Sequence, residues 1–259
     1  SVVVKKLLAV GCSYTADDYP FPVWPKLLAE KFNMECINLG RCGSGNENIY
    51  SRTLDTLVTE KNLGLVVVMW SEFQRLDFCK DGVWKPLHYK VGGLERNQWP
   101  WANKLMNTLT EKGYDDIACQ AERSIRLFYS LQQIMKLAEY NNIPFYQLVG
   151  CYPCNYRDKY TVAEAIIKSP YLNKINERLF LGWPMFNELG GWNIDAWLDT
   201  VDSGGHRKSG GRKGKNSDVR INSDVRISDE DHHPNKKGHE KIAEVLYNEI
   251  KRSVPNGHI

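Results

Sequence analysis

No stretch of this 259-residue chain approaches the roughly 18 consecutive apolar residues that a membrane-spanning helix needs, so no membrane partner is expected. Nor is there a strong excess of one charge. A net +3 is too mild to argue for a nucleic-acid partner, since phosphate tracking requires a concentrated basic face rather than a small global excess, and none is expected. The opening residues Ser1-Val2-Val3-Val4-Lys5-Lys6 show no charged region followed by a long apolar core and a small-residue cleavage site. Seven cysteines, an odd number scattered from Cys12 to Cys154, form no disulfide framework and fit a reducing, cytoplasmic setting. The single C-x-x-C, Cys151 to Cys154, has no second pair to complete a zinc site and opens no thioredoxin-like unit, so a plain loop is expected and no metal.

What is present is an alternation of apolar runs and amphipathic segments, which favours one α/β domain over residues 1–259. The first run, Leu7-Leu8-Ala9-Val10-Gly11, reads as a buried strand delivering Ser13 at its carboxyl end. In an open parallel sheet, ligands bind beyond the carboxyl ends of the strands, so a serine there is placed for chemistry, although serines also cap loops.

At the other end, Ser228-Asp229-Glu230-Asp231-His232-His233-Pro234 precedes a helix whose apolar residues Ile242, Ala243, Val245, Leu246 and Ile250 recur at helical spacing; Pro234 suits its first turn. A serine hydroxyl is a weak nucleophile until a base takes its proton, and the base needs a carboxylate to hold its tautomer. This segment supplies both groups.

With both ends in view, the sequence resembles the SGNH (GDSL-like) hydrolase superfamily. Gly11-Cys12-Ser13-Tyr14-Thr15 is similar to the first block, with Cys12 for Asp, and Asn38-Leu39-Gly40-Arg41-Cys42-Gly43-Ser44-Gly45-Asn46 to the second. The Asp and His near the C-terminus are similar to the last block. The third block departs, because Glu72 falls where the family has an oxyanion-hole Asn, and an ionised carboxylate donates no hydrogen bond.

The resemblance implies a flavodoxin-like three-layer α/β/α fold with a central parallel sheet of about five strands. It implies a serine ester hydrolase acting on a small-molecule or carbohydrate ester, an acetyl group among the candidates, with no cofactor. Ser13 would be the nucleophile, His233 the base and Asp231 its orienting acid. Glu230 against His233, or Asp229 against His232, are the other registers. The backbone N–H groups of Ser13 and Gly43 would form the oxyanion hole, with Asn46 or Gln74 as a helper. An acyltransferase on the same serine, or a non-catalytic module that has kept the fold, are the alternatives; the oligomeric state is not legible.

Between these blocks, helices are expected near 24–32, 46–61, 115–141, 161–168 and 174–180, and strands at 34–39, 65–70 and 143–149. Asp81-Gly82 marks a hairpin insertion at 76–101, whose Trp84, Tyr89, Trp99 and Trp101 suit a small core of their own. Residues 203–227 form a Gly-, Ser-, Lys- and Arg-rich segment expected to be a flexible basic loop. It ends in two identical hexapeptides, NSDVRI at 216–221 and 222–227, which either pair as a hairpin or record a duplication.

Overall fold

The computed structural model describes residues 2–204, 206–209, 218–254 and 259, with backbone alone at 206–209 and 218–221. Strand β1 (Lys6–Gly11) lies at the centre of a four-stranded parallel sheet, between β2 (Glu35–Gly40) and β3 (Leu63–Trp70), and β6 (Phe145–Val149) pairs with the outer side of β3. Where a fifth strand was expected there is a single parallel bridge, Gln147 to Phe180, with Gln147 exchanging backbone hydrogen bonds with Leu179 and Leu181. The apolar residues 179–181 run directly into Gly182 at φ 82°, which turns the chain away, so the expected helix at 174–180 is replaced by turns and this bridge.

Alternate residues of these strands point to opposite faces, and both faces are covered. Leu8, Val10, Val66, Val68 and Trp70 pack under α2 (Asn46–Thr59), α4 (Ile117–Ile134) and α5 (Lys159–Lys168). Leu7, Ala9, Leu65, Val67 and Met69 pack under α1 (Trp24–Lys31), α6 (Ile194–Val201) and α7 (Lys236–Ser253). The result is the expected α/β/α sandwich. Among the described residues, no helix is long and apolar enough to cross a membrane.

The Asp81-Gly82 hairpin is present as β4 (Leu76–Lys80) and β5 (Val83–Leu87), with Asp81 and Gly82 both at positive φ. It continues into a helix the sequence reading did not anticipate, α3 (Pro100–Glu111), which starts with proline in its first turn. Leu87, Tyr89, Ala102 and Met106 make the small separate core of this segment. Asp77 of β4 anchors it to the sandwich: its carboxylate accepts from the backbone N–H groups of Gly45 and Asn48 (2.9 and 3.0 Å) at the N-terminus of α2.

Among the described residues, the two hexapeptide copies do not pair with each other. Asp218–Ile221 of the first copy, β8, pairs antiparallel with β7 (His206–Ser209), whereas the second copy is drawn into the body by its buried Val225 and Arg226. Residues 205 and 210–217, on which much of the basic-loop expectation falls, lie outside the described residues.

Candidate active site

Ser13 sits just past the end of β1, on a turn closed by the backbone N–H groups of Thr15 and Ala16 donating to Cys12 O (2.9 and 3.0 Å). His233 comes from the opposite end of the chain. Its Nε2 lies 2.9 Å from Ser13 Oγ, its Nδ1 lies 2.6 Å from Asp231 Oδ1, and its backbone N–H donates to that same oxygen at 3.0 Å. Of the three registers open in the sequence, the structure brings together Asp231 and His233. Asp229 instead accepts from the backbone of Asn222.

The loop bearing His233 is held by contacts invisible in sequence. The buried Arg226 donates to His232 O (2.7 Å), to Asp195 Oδ1 and O (3.0 and 2.7 Å) and to Asp199 Oδ1 (3.1 Å), tying the loop to α6. Asp195 Oδ1 also accepts from the hydroxyl of Tyr14, the residue after Ser13, at 2.8 Å. One carboxylate therefore connects the serine turn to the histidine loop. Asn235, rather than Pro234, opens α7: it caps Gly238 N–H at 2.9 Å, while its amide donates to Asp224 O and Arg226 O. Pro234 stands one residue outside the helix, and its bridge to Arg226 closes the loop.

Behind His233 lies a second, fully buried histidine. His239 Nδ1 accepts from Trp24 N–H at 3.0 Å, and burial, helped by the charge His233 can carry, lowers its pKa to about 4. His239 is thus a neutral packing residue of α7, with Tyr19 and Phe21 against its ring (centroids 6.2 and 5.9 Å).

Several solved structures similar to this chain are GDSL or SGNH hydrolases and esterases. A member of the lipolytic protein G-D-S-L family from Veillonella parvula is 12% identical, with 95% of this chain and 97% of that one covered and a TM-score of 0.39. An acetylxylan esterase from Geobacillus stearothermophilus is 14% identical, with coverages of 95% and 94% and a TM-score of 0.44. A carbohydrate esterase family 2 enzyme with a carbohydrate-binding domain, from Corynascus thermopiles, is 13% identical over 98% of this chain and 68% of its own, at a TM-score of 0.44. No protein-family model matches the sequence, and no curated protein matches it significantly. The chemistry of the site therefore has to be read from its own residues.

Ser13 and His233 open onto a cleft of about 170 Å³ lined also by Tyr14, Cys42, Gly43, Arg75, His88 and Cys151. Neither Ser13 N–H nor Gly43 N–H donates to a partner among the described residues. Gly43 takes φ 80°, and a Cβ there would stand 3.2 Å from Pro86 and 3.7 Å from His88, so β5 packs against this turn. The two side-chain helpers named from sequence are otherwise employed. Asn46 donates to Ser71 O and Ser124 Oγ (3.2 and 2.9 Å), and Gln74 donates to Glu72 Oε2 (3.0 Å).

Glu72 itself is buried, with Arg75 Nε 3.5 Å from its Oε2. The side chain that reaches the cleft from the third block is Arg75. Its Nη1 donates to Ser71 Oγ (2.7 Å) and Ser44 O (3.0 Å), and no hydrogen bond among the described residues uses its Nη2. Burial works against the guanidinium charge, but Glu72 together with Cys151, Cys12 and Asp77 outweighs it and the pKa is raised. An ionised carboxylate cannot donate; this one holds in place a group that always can.

The C-x-x-C is a plain loop, with Cys151 and Cys154 buried and not joined in a disulfide. Among the described residues no cluster suited to a metal ion is found. Cys151 packs instead beside Cys12 under the serine turn, with Ser71 Oγ 3.6 Å from its sulfur.

Proposed function

We propose that this chain is a serine ester hydrolase, and the unbroken hydrogen-bonded series Ser13–His233–Asp231 is the observation that carries the reading. Ser13 Oγ attacks the acyl carbonyl carbon as its proton passes to His233 Nε2. The tetrahedral intermediate collapses when the carbon–oxygen bond to the alcohol breaks and His233 returns the proton to the departing oxygen. Water then repeats the sequence on the acyl-serine, releasing the acid and restoring Ser13. Asp231 stays ionised and keeps the Nδ1 proton facing it throughout.

The oxyanion is held by the N–H groups of Ser13 and Gly43, with the Arg75 guanidinium supplying the third donor that Glu72 cannot. A cleft of about 170 Å³ suits a small acyl group such as acetyl. The alcohol is then the larger part of the substrate and lies outside the cleft.

A reactive organophosphonate ester is the direct test. It should add its mass to the peptide carrying Ser13, and His233→Ala should slow that labelling by orders of magnitude, with hydrolysis of short-chain aryl esters falling in parallel. Folded protein that gains no mass while a competent serine esterase labels beside it would refute the hydrolase and leave a non-catalytic module. Labelling and acyl-enzyme formation without hydrolysis, relieved by an added alcohol, would identify an acyltransferase.

A further inference from the structure

An open groove of about 820 Å³ lies beside the His233 loop, walled by Tyr19, Pro20, Phe21 and Ile227 and bordered by the first turn of α7. Large apolar side chains are normally spent in the core, yet Ile227 is 39% exposed. The Tyr19 and Phe21 rings, stacked at 5.3 Å with 10° between their planes, are only part-buried. A contiguous exposed apolar surface of this kind marks a contact site.

Three relationships join the groove to the catalytic series. Ile227 N–H donates to His233 O at 2.9 Å, so one wall is the backbone partner of the histidine itself. The Tyr19 ring lies 6.4 Å from the His233 ring. The Tyr19 hydroxyl is pushed up to about 12, first by burial and then by Asp231 and Cys42, and Cys42 lines the serine cleft. Tyr19 therefore stands between cleft and groove. Ester chemistry decides which half of a substrate comes this way. Histidine returns its proton to the departing oxygen, so that oxygen lies at His233 Nε2 and the rest of the alcohol passes the histidine.

The polar groups along the groove are already employed. Asn235 accepts from Gly238 N–H and donates to Asp224 O and Arg226 O, and Lys237 Nζ pairs with Asp224 Oδ2 at 2.6 Å. Lys236 and Glu240 stand at the exposed edge. The hydroxyls of a sugar need several fixed partners, and these walls offer apolar contact in their place. We propose that the groove binds the alcohol part of the ester and selects an apolar alcohol, alkyl or aryl, over a carbohydrate. The proposal rests on the ester-hydrolase reading and adds to it the class of alcohol.

Ethyl, propyl, butyl, pentyl and hexyl acetate test it, because their leaving alkoxides are nearly equal in basicity and chain length alone varies. Along this series kcat/KM should rise about two- to fourfold per added methylene, the factor that burying one carries. Ile227→Glu, at an exposed position, should bring the hexyl-to-ethyl ratio toward one, and Phe21→Ser should lower the same ratio. A ratio taken within one preparation does not depend on how much of a variant is folded. The proposal is overturned by a flat series in the wild type, by an unchanged ratio in both variants, or by an acetylated methyl xyloside with a higher kcat/KM than hexyl acetate. A flat series together with self-association that Ile227→Glu abolishes, followed by sedimentation, would instead give the groove to a second copy of the chain. If no ester of the series is hydrolysed and Ser13 takes up no phosphonate, the hydrolase reading itself fails and the alcohol assignment falls with it. That result is distinct from hydrolysis without chain-length preference, which sinks the groove alone.

Discussion

His233 and Asp231 meet twice: one oxygen of the carboxylate accepts both the ring Nδ1 of His233, at 2.6 Å, and its backbone N–H, at 3.0 Å. Two residues apart, they close a tight turn in which the acid fixes the backbone and the tautomer together. Asp231→Asn should therefore lower turnover of a short-chain aryl ester by about 10⁴, as expected when the orienting carboxylate of such a series is lost. Asp229→Ala and Glu230→Ala should stay close to wild type. A dominant loss at either of those positions, with Asp231→Asn active, would overturn the assignment.

Arg75 should account for part of the rate. Losing one donor to a developing oxyanion costs about a hundred- to a thousandfold, so Arg75→Lys, which keeps the charge beside Glu72 but not the guanidinium fork, should lower kcat by roughly that factor. The phosphonate labelling rate of Ser13 should fall with it while the melting temperature changes little. Arg75→Met should in addition destabilise the protein, because it removes the guanidinium charge beside the buried Glu72 carboxylate. Unchanged kcat in a folded Arg75→Lys protein would remove the arginine from the oxyanion hole.

The parts of this site that were legible in sequence are those fixed by local chemistry. A buried strand ending in serine, and an acid and a histidine two residues apart ahead of a helix, each carry their meaning within a few residues. The sheet was legible because strands buried on both faces read as unbroken apolar runs, as in Leu65 to Trp70. Its fifth position was not, because a single bridge leaves no run to detect. Arg75 and Arg226 were missed for a different reason. Both act through partners that the fold delivers from a distance, Ser44 for one and Asp195 for the other, and no spacing rule announces such pairs. Helix α3 escaped because its pattern is interrupted by Trp101, Asn103 and Lys104, with only Ala102 and Met106 fully buried.

Arg226 should matter more than its exposed neighbours in the same hexapeptide. It is 4% exposed, pairs with Asp195 and Asp199, and carries the carbonyl of His232. Removing one partner of a buried ion pair typically costs about 3–5 kcal/mol, so Arg226→Met should lower the denaturation midpoint strongly. It should also reduce turnover in whatever fraction stays folded, since the His233 loop loses its tie to α6. Asp199→Asn, which spares the Asp195 contact, should do much less. Equal effects from the two substitutions, measured by urea denaturation and by activity at low temperature, would show that the clamp is not centred on Asp195.

His239 should set part of the acid stability. Its pKa is about 4 in the folded chain against an ordinary 6.5, because burial, and secondarily His233, disfavours the charged ring. Below pH 6.5 the unfolded chain takes up a proton that the native chain refuses, so stability falls as pH falls from about 6.5 to about 4. Below that the native ring also protonates and this contribution levels off. The loss amounts to roughly 3 kcal/mol at most. His239→Asn offers a side-chain oxygen near the position of Nδ1, able to accept from Trp24 N–H, and has no proton to gain. Chemical denaturation at a series of pH values should show the wild type losing stability across this window and the Asn variant following a shallower line, so that the two curves converge on acidification. Parallel curves between pH 6.5 and 4 would mean that His239 titrates normally in the native state and that its burial is relieved by local opening.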